Sequence, residues 1–241
     1  MGERRRLSYV LLAVLAVATG LLIWMADQHV RSATLVTTAS PAGEGTSVAG
    51  TPSGSPPAAT ASATPPPTAV FLGDGYTAGV GDTSWADLVA AERGWREVNL
   101  AVPGMGFRTV PASCPAAPCT AFDGQVQKVA AAGPSVVFVM GGSADGRTLQ
   151  AATVDSFAKS LRAAVPDATI YLVNPVVTDA RVPAWVGTTT TALKSAASAH
   201  GATFVDIGQP LSGKEGLVQG PGAPTDAGDR ALADAVLARL A

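Results

Sequence analysis

From Ala69 onward the chain follows one alternation: short apolar runs rich in β-branched residues, each followed by a longer stretch of helical period. No other feature limits the fold as strongly. Ala69–Leu72, Glu97–Leu100, Ser135–Met140, Thr169–Val173 and Ala202–Asp206 are short and bounded by Gly, Pro or Asn, which predicts strands. Ser84–Arg93, Phe122–Ala132, Leu149–Val165, Thr188–His200 and Thr225–Ala241 predict the helices between and after them. Parallel strands need crossover connections, and those crossovers are right-handed. The repeat therefore predicts an α/β domain, a doubly wound parallel sheet of flavodoxin-like type with helices on both faces. Ligands of such sheets bind beyond the carboxyl ends of the strands. The loops after Leu72, Leu100 and Met140, and the segment before Thr225, are where chemistry is expected.

Ahead of this domain, Arg4-Arg5-Arg6 precede an uncharged run from Leu7 to Met25. As a helix that run spans roughly 28 Å, close to the hydrocarbon core of a bilayer. Three arginines before it, against Arg31 with Asp27 after it, favour a cytoplasmic N-terminus and an extracytoplasmic remainder, with Trp24 at the outer interface. Residues 1–31 are thus expected to form a signal-anchor helix in the cell membrane. The alternative is a cleaved signal peptide and a secreted protein, with Val30-Arg31-Ser32 as the cleavage site. Residues 32–68 are dominated by Ala, Thr, Ser, Pro and Gly and hold no aromatic residue, so they cannot build a core and read as a disordered, semi-extended linker. Residues 69–241 are long enough for one domain.

A net charge of −2 and the lack of any basic cluster beyond the N-terminal flank leave no footprint for nucleic acid. Cys114 and Cys119, the only cysteines, flank Pro115-Ala-Ala-Pro118. In an exported chain they are expected to form a disulfide that clips a loop. A metal site lacks further ligands there, and four intervening residues do not make a thioredoxin-like motif. No cofactor is expected.

Phe71-Leu-Gly-Asp-Gly-Tyr-Thr-Ala-Gly79 resembles the first motif block of the SGNH/GDSL hydrolases, Gly-Asp-Ser-Tyr-Thr-Ala-Gly. Asn99-Leu-Ala-Val-Pro-Gly104 is similar to the second block, Met140-Gly-Gly-Ser-Ala-Asp145 stands where the family has Gly-Gly-Asn-Asp, and Gly220-Pro-Gly-Ala-Pro-Thr-Asp-Ala-Gly228 looks like the fifth, Asp-x-x-His-Pro-Thr-x-x-Gly. The resemblance spans the domain and implies the SGNH hydrolase fold. It also implies that the signature side chains are gone: Gly75 stands for the nucleophilic Ser, Ser143 for Asn, Gly220 for Asp and Ala223 for His. All four positions fall on loops at the carboxyl edge of the sheet, so restoring the side chains is expected to leave the domain folded.

Acyl transfer needs a nucleophile, a base, a group that orients the base and donors facing the oxyanion. The histidines, His29 beside the apolar run and His200 at a helix end, do not supply the base. Asp74 is expected to be a loop-stabilising acceptor, and Asp145 and Asp226 solvated or capping residues. Ser143 and Thr77 present hydroxyls without an activator. Two backbone donors, the N–H groups of Gly75 and Gly104, still suit an acyl oxygen, and the Ser143 hydroxyl can stand for the lost amide. Asp74, Gly75, Gly104 and Ser143 are accordingly the expected ligand-binding residues, and no residue is assigned a catalytic role. The resemblance implies a membrane-anchored pseudoenzyme that binds an acylated or glycan component of the cell envelope. The alternatives are a weak ester hydrolase with an unconventional residue set, and a scaffold or regulatory partner of an envelope enzyme.

Overall fold

The computed structural model describes residues 64–79, 81, 83–220 and 222–240. The apolar run Leu7–Met25, residues 1–31 and nearly all of the 32–68 linker lie outside the described residues. Among the described residues no helix is long and apolar enough to cross a membrane.

The domain opens with β1 (Thr68–Gly73), a one-turn helix α1 (Gly75–Ala78), α2 (Trp85–Arg93) and β2 (Arg96–Asn99). A 3₁₀ turn (Phe122–Gln125) leads into α3 (Val126–Ala131), followed by β3 (Val136–Met140), α4 (Ala151–Ala164), β4 (Thr169–Val173), α5 (Ala184–Ala199) and β5 (Thr203–Val205). A small hairpin, β6 (Val218–Gly220) and β7 (Ala223–Pro224), precedes the closing helix α6 (Asp226–Leu237). The main sheet has the order β2-β1-β3-β4-β5 and every pair in it is parallel.

The strands are legible because β1 and β3 are buried on both faces, which turns them into unbroken apolar runs. Side chains alternate between two cores. Val70, Leu72, Val137, Val139 and Leu172 pack against Val154, Phe157 and Leu161 of α4 and Leu193 of α5. On the opposite face Ala69, Phe71, Phe138 and Met140 meet Trp85 and Val89 of α2 and Leu232 and Val236 of α6. Phe71 and Phe138 stack at 5.0 Å between ring centroids, with Trp85 edge-on to Phe71 at 5.3 Å. Such pairs add about 0.5–1.5 kcal/mol beyond the area they bury.

Helix ends follow local chemistry. Ser84 and Asp87 form a capping box at the start of α2, and Gly94, left-handed at φ 65°, ends it. Asp229 of α6 adds a cap from outside, accepting from Trp85 N at 3.0 Å, which ties α6 to α2. Its buried carboxyl is pushed up to about 6 by burial. Beside this cap, burial and the neighbouring Asp87 push the Glu97 carboxyl up to about 8. Burial also pushes Asp87 upward, but hydrogen bonds from Glu97 and Ser84 outweigh it and hold Asp87 below its ordinary value.

Three expectations need adjusting. The Phe122 segment begins as a 3₁₀ turn, since Gly124 weakens an α start. Helix α5 starts at Ala184, capped by Pro183 in extended conformation, four residues before Thr188. The last helix ends at Leu237. Cys114 and Cys119 are bonded, with Cα atoms 5.6 Å apart, in the loop between β2 and the 3₁₀ turn.

Candidate functional site

The carboxyl ends of β1 and β3 and the loop after β2 meet around one open cleft of about 230 Å³. Asp74 forms its base. Its Oδ1 accepts from Tyr76 N at 3.0 Å and its carbonyl accepts from Thr77 N and Ala78 N, which fixes the α1 turn immediately after β1. The carboxyl is buried, and Oδ2 has no hydrogen-bond partner among the described residues. Burial pushes its pKa up to about 7, against the Tyr76 N–H, which pulls it down.

The loop after β2 is tied to this turn. Asn99 Nδ2 donates to Thr77 O at 3.0 Å, Asn99 Oδ1 accepts from Ala101 N at 3.0 Å, and Val102 N donates to Gly73 O at 3.1 Å. Gly104 then takes φ 79°, a conformation that favours glycine, and lines the cleft. Neither the Gly75 N–H nor the Gly104 N–H has an acceptor among the described residues. Ser143, in the loop after β3, lines the cleft and donates from Oγ to Val176 O at 2.9 Å, so its oxygen keeps accepting capacity.

Asp145 corrects an expectation. It stands at the N-cap position of a 3₁₀ turn (Gly146–Thr148), but its buried carboxylate is neither solvated nor capping that turn; it accepts from Phe107 N at 2.8 Å, Arg108 N and Thr109 N at 3.0 Å each, and Thr109 Oγ1 at 2.8 Å. One carboxylate thus pins the segment after Gly104 to the loop after β3. Gly106 permits the approach, because a Cβ there would collide with that carboxylate. Asp226 is exposed in the first turn of α6.

Gly220 and Ala223 face each other across the β6–β7 hairpin and do not line the cleft. What reaches it is Gly222 at the hairpin tip, at φ 67°. Its carbonyl oxygen fills the space into which a side chain at position 75 would project. Position 75 is therefore not an open loop site, contrary to the expectation from sequence. Tyr76, also lining the cleft, has its phenol raised by burial, while hydrogen bonding from the Thr178 side chain and the Gly222 N–H pulls the other way.

His200 is remote from this edge. It follows α5 on the side where β5 begins, and its Nε2 lies 2.8 Å from Asp155 Oδ1 of α4. His29 lies outside the described residues. Among the described residues no group of three or more His, Cys, Asp or Glu is placed to hold a metal ion. The roles of Asp145 and Gly222 were missed in the sequence. The only signal for either was Gly220-Pro-Gly222, a run suited to a tight turn.

A parallel sheet of order 2-1-3-4-5, with glycine donors converging on a cleft at its carboxyl edge, defines an esterase-like α/β domain. A match to the GDSL-like lipase/acylhydrolase family runs over residues 71–231, and the chain belongs to that family. Among solved structures, TesA is 21% identical with a TM-score of 0.57, covering 72% of this chain and 97% of its own. A catalytic mutant of Axe2, an acetylxylan esterase from Geobacillus stearothermophilus, is 19% identical with a TM-score of 0.52, covering 72% and 94%. The lipase/acylhydrolase from Enterococcus faecalis is 18% identical with a TM-score of 0.53, covering 72% and 95%. These likenesses show the fold. No curated protein matches the chain significantly.

Proposed function

We propose that the domain is a non-hydrolysing member of its family, which binds a carbonyl-bearing group of an acylated or glycan component of the cell envelope. The observation that carries this reading is the occupant of the nucleophile's place. Gly75 offers no hydroxyl, and the Gly222 carbonyl takes the room a side chain would need. The donors that suit an acyl oxygen, Gly75 N–H and Gly104 N–H, remain unengaged among the described residues. Donors without a nucleophile and base hold a carbonyl without cleaving it. We place the domain outside the membrane, anchored by Leu7–Met25 and displayed on the 32–68 linker, where a ligand in the envelope or an envelope enzyme as partner is within reach.

One observation favours a second reading, weak hydrolysis. Asp74, with its pKa near neutrality, lies beside the Ser143 hydroxyl, a carboxylate and hydroxyl at the same cleft. Both readings meet in one experiment: hydrolysis of nitrophenyl acetate by the purified protein, with labelling by a serine-directed phosphonate. The expected result is turnover at background and no adduct. Turnover abolished by Ser143→Ala would establish the hydrolase reading instead.

A further inference from the structure

The cleft has unspent acceptors as well as unspent donors. On the donor side are the N–H groups of Gly75 and Gly104. On the acceptor side, the Gly222 carbonyl receives no hydrogen bond among the described residues, Ser143 Oγ has used its proton on Val176 O, and Asp74 Oδ2 is buried without a partner. All five groups belong to residues that line the same cleft.

An ester offers only acceptors. Bound here, it would satisfy the two glycine N–H groups and leave the acceptor side facing apolar or carbonyl atoms, and a desolvated acceptor without a donor costs free energy. A secondary amide carries its own donor one bond away from its carbonyl. Its oxygen can take the Gly75 and Gly104 N–H groups while its N–H points to the acceptor side formed by Gly222 O and Ser143 Oγ. The arrangement that excludes a serine side chain at position 75 is also the one that supplies an acceptor in its place.

We infer that this cleft recognises a secondary amide, an N-acyl group, in preference to an O-acyl ester. This rests on the carbonyl-binding reading above and narrows its ligand. The shared chemistry is the acetamido unit, which occurs on amino sugars and on N-acylated peptides. Sites built to hydrogen-bond a donor discriminate against analogues that lack it more sharply than apolar pockets discriminate by size.

The test uses the full-length chain, ¹⁵N-labelled and held in detergent micelles, with the amide signals of Gly75 and Gly104 followed by NMR during titration. Four probes separate the possibilities: tri-N-acetylchitotriose, its de-N-acetylated counterpart, O-acetylated xylotriose and N-acetyl-dialanine amide. We expect one of the two N-acyl probes to shift both glycine signals with an affinity at least about tenfold above that for the O-acetylated sugar. Whichever N-acyl probe does so identifies a sugar or a peptide source. Loss of binding on removing the N-acetyl groups supports the inference where the sugar is the ligand. Equal or tighter binding of the O-acetylated sugar overturns the amide preference while leaving the carbonyl-binding reading intact. Failure of every probe to move either glycine signal overturns both.

Discussion

The carbonyl oxygen of Gly222 lies against Gly75, in the space a β-carbon at position 75 would need. Two segments distant in sequence thus meet at position 75. A backbone group there cannot swing aside as the end of a flexible side chain can, so the contact links what position 75 can hold to the seating of the β6–β7 hairpin.

Gly75→Ser is therefore expected to destabilise the domain by about 1–3 kcal/mol, in the manner of an overpacked site. It should show no gain of esterase activity, since no histidine among the described residues stands at this edge. Thermal unfolding and nitrophenyl acetate turnover check both halves. Unchanged stability would mean that the hairpin yields freely; a gain of turnover would mean that an effective base is already present.

Asp145→Ala should be among the most damaging single substitutions in the loops. It strands the N–H groups of Phe107, Arg108 and Thr109, which now share one carboxylate. A loss of about 3 kcal/mol is expected, and Asp145→Asn should lose less because one acceptor oxygen remains. Denaturant midpoints of the two variants give the comparison. Hydrogen exchange should place the extra opening in residues 106–109.

Stability should fall as the pH rises from about 5 to 8.5. The folded-state values of Asp74, Glu97 and Asp229, about 7, 8 and 6, all lie above those of ordinary carboxyls. The folded chain thus keeps protons that the unfolded chain releases. The stabilisation is complete below the unfolded values and is lost as pH climbs through the folded ones. Asp87, held below its ordinary value, works in the opposite sense at lower pH. A melting temperature lower by about 3 °C or more at pH 8.5 than at pH 5 is the expected reading. Glu97→Gln, which keeps a donor toward Asp87, should flatten the dependence; a steeper one would contradict the assignment.

Replacing Cys114 and Cys119 together by serine should cost about 1–3 kcal/mol, because the bridge closes only a short loop. The unreduced wild-type protein should show no free thiol by mass spectrometry after alkylation. The cleft should keep its ligand in the double variant, since neither cysteine lines it.

A reporter fused to the C-terminus should be active only outside the cytoplasm, as Arg4–Arg6 and the run Leu7–Met25 predict. Protease added to spheroplasts should cut within residues 32–68 and release a soluble domain. A C-terminus protected in intact spheroplasts would reverse the orientation.

Local pattern was enough to read the sheet. Five apolar runs and the helices between them carry their own period, and each strand lies within a residue or so of where β-branched composition puts it. The order of the loops, and the glycines at 75 and 104 that flank the cleft, were likewise present in the order of the residues. What lay beyond reach were contacts between chain segments far apart in sequence. Nothing near Asp145 shows that its carboxylate holds the N–H groups of residues 107–109, so its charge reads as solvated until the two loops are brought together. Nothing near Gly75 shows that Gly222 fills its side-chain space. The pairing of Glu97 with Asp87, and the cap that Asp229 places on Trp85, arise only once α2, α6 and the sheet edge pack. Hydrophobic period is a property of neighbours along the chain, and it decided the fold. Which polar atoms meet at the cleft depends on how irregular loops cross one another, and only the packed tertiary structure decided that.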